Sequence, residues 1–256
     1  MNSPSPHDEV TVAFTVTLSS PTLSLPLSTP LKVFIRPRII KSTRPGEPVT
    51  LLVNDSALEA SEPGQWPKAV ALGALGQGLQ SKHDPTRVIP FGVLIPHYPE
   101  PYYSPTSLYG RGHFVTLPGS GDEVVITHEI TRERLFVRSD LRPEDIQSGE
   151  EFQLCVSRHG RRIEWWCWGD LEGDLQGKNL HPWVQGEDNI NAWHPRPSPE
   201  EIERENHVLG GDPDKILVTD ESGWVPITIV RDVVGDDTDR VDVTALRSSC
   251  PALHPR

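Results

Sequence analysis

The residues best suited to chemistry in this chain are two histidines that flank one turn. Gly112-His-Phe-Val-Thr-Leu-Pro118 and Glu123-Val-Val-Ile-Thr-His-Glu-Ile130 are strand-like runs separated by Gly119-Ser-Gly-Asp122, which predicts a hairpin. With its turn centred near Ser120 and Gly121, His113 and His128 fall opposite each other. Two imidazoles at cross-strand separation can act as acid and base near neutral pH, or share a metal. The only nearby carboxylate, Glu129, alternates onto the opposite face, so no metal site is expected and ordinary cross-strand packing competes with catalysis by His113 and His128.

A second group is aromatic. Gly149 to Gly169 holds three of the seven tryptophans and two of the three cysteines, and is expected to form a hairpin turning at His159-Gly160. In its second strand Trp165 shares a face with Ile163 and Cys167, while Trp166 and Trp168 share the other with Glu164. Indole on both faces exceeds what one core layer takes. One set belongs to the core; the other is covered by the C-terminal segment or lines a ligand pocket. The stretch between Pro96 and Gly112 holds all four tyrosines among repeated X-Pro steps, which predicts a long extended loop able to close such a pocket. Trp166, Trp168, Tyr102, Tyr103 and Tyr109 are therefore the candidate ligand-binding residues.

Several common chemistries are missing from the pattern. There is no Walker loop, no Gly-x-Ser-x-Gly elbow and no Cys-x-x-Cys pair. Gly76-Gln-Gly78 lacks the final glycine of a dinucleotide fingerprint and precedes a turn. Only His7 and Glu9 have the spacing of an iron-oxygenase pair, in a segment expected to be mobile. Leu180-His-Pro-Trp183 and Ala192-Trp-His-Pro195 mirror each other but would need two more ligands to hold a metal. Asp212-Pro-Asp214 and Asp236-Asp-Thr-Asp239 lack the glycine and closing glutamate of a calcium loop. No cofactor is expected.

These groups must be positioned by strands. Twenty-six prolines and 20 glycines in 256 residues, with 36% hydrophobic residues, favour many short elements between turns. Val10, Val12, Phe14, Val16 and Leu18 alternate as one face of a strand. Leu31 to Ile40 is a second strand, whose Pro37 suggests an edge or a bulge, and Pro48 to Val53 a third. Gly76 to Ser81 is expected to pair with Arg87 to Leu94, and Leu135 to Val137 to add a short strand. Ser198, Pro199 and Glu201 form a capping box opening a short helix, with Gly210-Gly211 as its stop. Lys215 to Thr219, Trp224 to Val230 and Val241 to Leu246 are late strands. The expected fold is all-β, an antiparallel β-sandwich, immunoglobulin-like in the broad sense, with a barrel as the alternative. Residues 1–8 are expected as a mobile tail, 9–169 as the sandwich, and 170–256 as an extension packed on it.

A net charge of −12 repels phosphate backbones and anionic lipid, so neither nucleic acid nor a membrane surface is an expected partner. Three cysteines do not make a disulfide framework, and the N-terminal residues lack the apolar core of a secretion signal, so the cytosol is the expected compartment. Leu141 to Phe152, followed by Trp165-Trp-Cys-Trp-Gly-Asp-Leu171, loosely resembles uncharacterised cytosolic proteins of filamentous fungi over residues 10 to 175. That resemblance implies a place beside secondary metabolism and carries no catalytic residues with it. The expected function is a non-catalytic binding module for an apolar small molecule or a protein segment. The alternative is a cofactor-free isomerase or cyclase with a histidine acid or base in an aromatic pocket.

Overall fold

The computed structural model describes residues 2–25, 27, 29–60, 70, 73–91, 108, 113–136, 139–181 and 197–231. The chain is all-β, as its proline- and glycine-punctuated alternation predicts. Among the described residues fourteen strands form four sheets, joined by short 3-10 turns.

The first sheet is built on β1 (Val10–Leu18), whose Val10, Val12, Phe14 and Val16 are buried as their alternation requires. It pairs antiparallel with β3 (Leu31–Ser42), which pairs in turn with β8 (Ile126–Ile130). Pro37 sits inside β3 rather than on an edge strand, and the geometry shows why it is tolerated. The carbonyl of Pro37 accepts from Val124 N at 3.1 Å, so both of its backbone groups face the β8 side, where the ladder has already ended at Ile35. The ladder runs unbroken past Pro37, which pairs with Phe14; a bulge falls further along, where Thr11 and Val12 face Lys41 and Ile39 and Ile40 is the extra residue of β3.

A second sheet has β4 (Val49–Leu52) between β7 (Phe114–Leu117) and β10 (Trp165–Trp168). A third runs in the order β2 (Thr22–Leu25), β14 (Val225–Arg231), β9 (Glu151–Leu154), β5 (Leu79–Ser81) and β6 (Val88–Ile89). The β5–β6 hairpin has the expected pairing, Leu79 opposite Ile89. The fourth sheet is a parallel pair, β11 (Asn179–His181) with β12 (His207–Leu209).

Three expectations change. Both hairpins predicted around chemistry-bearing residues are absent: β7 pairs with β4 while β8 pairs with β3, and β9 pairs with β14 and β5 while β10 pairs with β4. In each case the chain crosses between sheets at the predicted turn. The sheets are also mixed, since β13 (Ile216–Asp220) runs parallel to β1 and β14 parallel to β2, pairings permitted because most of the chain lies between the partners. Finally, residues 170–231 are not an extension laid on a finished fold: β13 completes the first sheet and β14 lies inside the third.

The capping box forms as predicted, with Ser198 Oγ accepting from Glu201 N at 3.2 Å and Glu201 Oε2 accepting from Ser198 N at 2.8 Å, to open α1 (Pro199–Arg204). The helix ends at Glu205, before Asn206 at φ +54°, and not at Gly210-Gly211. Leu135 follows a 3-10 turn, Arg132–Arg134, in place of the expected strand. The strand expected at 241–246 lies outside the described residues.

Candidate functional site

The tryptophans of β10 are enclosed by their own chain. Trp166 and Trp168 are 0% and 1% exposed, with rings edge to face at 5.4 Å, inside the main core. Trp166 Nε1 donates to the Asp212 carbonyl at 2.9 Å, and Trp168 Nε1 to the Asp8 carboxylate at 3.1 Å. Trp165, on the opposite face, donates from Nε1 to the His181 carbonyl at 2.7 Å and heads a smaller cluster with Cys167, Leu175, Leu180 and Val208. Each indole N–H is thus satisfied within the fold.

What covers them is backbone. A Cβ built on Gly210 would lie 2.1 Å from Trp165 Cδ1, and one on Gly211 would lie 2.5 Å from Trp166 Cε2, so these glycines let the segment after β12 lie flat on two indoles. Gly211 N also donates to the Trp166 carbonyl at 2.7 Å. The N-terminal segment covers Trp168: its backbone N–H donates to the Asn2 carbonyl at 3.0 Å, and Arg44 stands 5.0 Å over its ring. Asp8, expected in a mobile tail, is buried against that indole and ion-paired to Arg44 at 2.6 Å. Burial alone would raise its pKa, but the Ser5 backbone N–H, Arg44 and Trp168 overcome this and hold it at about 2. Tyr102, Tyr103 and Tyr109 lie outside the described residues.

The two histidines are separated. His128 is wholly buried on β8, where its Nε2–H donates to the Ala57 carbonyl at 2.8 Å. Burial pushes its pKa down, against a smaller upward push from that hydrogen bond, which keeps the ring neutral. His113 precedes β7 in the second sheet, half-exposed, with Nε2 3.5 Å from the buried Glu59 carboxylate. They do not oppose each other, and no acid and base pair is assembled from them. Among the described residues no group of three His, Cys, Asp or Glu is placed to hold a metal. Cys155 and Cys167, which a hairpin would have brought together, are apart, Cys155 just after β9 of the third sheet and Cys167 within β10 of the second, and both are free thiols; burial raises the pKa of each.

An apolar cavity lies elsewhere. Because β2 and β14 run parallel, their last residues, Leu25 and Arg231, finish side by side. The 3-10 turn after β8 brings Arg132, Leu135 and Phe136 to the same end, and Pro143 closes it. These residues, with Leu27, line a pocket of about 320 Å³ at the seam between the first and third sheets. Five of the seven lining residues are apolar, and the volume falls in the range of small-molecule sites. Phe136 is held at φ +63°, a conformation that costs a bulky residue on the order of 1–3 kcal/mol and tends to mark functional positions. A groove of about 560 Å³ over β7 differs in character, being lined by Asp170 and Glu172 as well as Thr116 and Ser120. Sequence reasoning missed the seam pocket because its walls come from four distant segments, with no local motif to join them.

Comparison with protein-family models, with curated proteins and with solved structures finds no match to this chain.

Proposed function

We propose that the chain is a non-catalytic binding module, built from stacked β-sheets, that holds an apolar small molecule in the pocket at the seam of the first and third sheets. The observation that carries this reading is the pocket itself: Leu25, Leu27, Leu135, Phe136 and Pro143 leave apolar surface around a ligand-sized space, with a strained Phe136 in its wall. The described histidines favour this reading over the alternative, a cofactor-free isomerase or cyclase. His128 is sealed behind the Ala57 carbonyl, His113 stands apart against Glu59, and neither lines the seam pocket.

Calorimetric titration with decan-1-ol tests the reading. Saturable one-to-one binding with a negative heat-capacity change is expected, since apolar surface leaves water. Leu27→Trp, which puts a larger side chain into the pocket wall, is expected to weaken binding at least tenfold. Absence of saturable binding, or binding that Leu27→Trp leaves untouched, would overturn it.

A further inference from the structure

The pocket is mostly apolar in its walls but is also lined by two arginines, Arg132 and Arg231. Six of the twelve described arginines are ion-paired to a carboxylate. Arg38, Arg44, Arg87, Arg142, Arg162 and Arg204 each lie within ion-pair distance of a carboxylate. Arg132 and Arg231 make no ion pair among the described residues; Arg231 Nη1 reaches only the Glu144 carbonyl, at 3.5 Å. The carboxylate next to Arg132, that of Glu133, is held chiefly by the Thr131 hydroxyl and its own backbone N–H, and only weakly by Arg132. In a chain of net charge −12, where carboxylates outnumber cations, two cations at one pocket with no ion pair among the described residues leave a local preference for an anion.

We infer that the ligand of this pocket is an apolar monocarboxylic acid, its hydrocarbon part between Leu27, Leu135 and Phe136 and its carboxylate at Arg132 and Arg231. This rests on the seam pocket being the ligand site. The chemistry fits the parts: apolar walls recover the burial of a chain, and guanidinium N–H groups give a carboxylate charge-assisted hydrogen bonds that an alcohol cannot match. Both arginines are exposed, so the head group stays near water and the attraction weakens as salt is added.

The test compares decanoate with decan-1-ol by calorimetry at low ionic strength, on the full chain and on the Arg132→Gln/Arg231→Gln double variant. Wild type is expected to prefer decanoate by about tenfold. That preference is expected to shrink with added salt and to vanish in the double variant, while Arg36→Gln, a change on β3 outside the pocket, leaves it intact. Equal binding of acid and alcohol by wild type would overturn the inference while leaving the pocket as a ligand site. A preference that survives in the double variant would overturn the role of these arginines. Failure of both probes to bind would overturn inference and site together.

Discussion

At the scale of single residues, the tryptophans of β10 show why aromatic density alone does not make a binding site. The alternation of Trp165, Trp166, Cys167 and Trp168 was legible in the sequence, and so was the consequence that indoles must be covered on both faces. The identity of the cover was not legible, because it depends on where Gly210, Gly211 and Asn2 arrive from far along the chain. Gly210-Gly211 looked like a helix stop; its glycines serve instead to let backbone touch indole. Gly211→Ala is therefore expected to cost about 1–3 kcal/mol through overpacking against Trp166, read as a lower urea midpoint with an unchanged slope. A midpoint equal to that of wild type would show that the indole is free to yield.

Single elements were more legible than their partners. β1, β3, β4, the β5–β6 hairpin, β13 and β14 follow from local alternation and turn chemistry, which act over a few residues. Sheet pairing does not. At Gly119 and Gly160 turn-like composition suggested hairpins, but a Cβ at Gly119 would sit 2.2 Å from the Gly46 backbone, and one at Gly160 would sit 2.2 Å from the Ala74 carbonyl oxygen. These glycines meet a close approach by a distant segment, a demand that composition cannot distinguish from a tight turn. The same long-range fastening holds the N-terminal segment, where Asp8 links β10 to the turn after β3 through Trp168 and Arg44. Its carboxyl is held at about 2, below its ordinary value, so its contribution is present above about pH 4 and is lost as pH falls toward 2. Asp8→Asn is expected to remove about 1 kcal/mol at neutral pH, allowing for the solvent that reaches Arg44, and to flatten the stability profile between pH 4 and 2. An unaltered acid limb in chemical denaturation would show that the tie contributes nothing.

For the whole molecule, the first three sheets share the main core, the fourth packs in the smaller cluster with Trp165, and the pocket arises where the first and third end together. Fold class was legible because proline, glycine and alternation are summed over the whole chain. The pocket was not, since Leu25, Leu27, Arg132, Phe136 and Arg231 meet only through the parallel pairing of β2 with β14 and the turn after β8. Arg132 and Arg231, with no ion pair among the described residues, make that seam the one described pocket where an apolar walled space and a cationic edge coincide. The most direct test of the binding role is a crystal of the full chain soaked with 10-bromodecan-1-ol, located by the anomalous signal of bromine. A bromine peak enclosed by Leu27, Leu135 and Phe136 is the predicted result; a peak confined to another surface, or none at saturating probe, would contradict it.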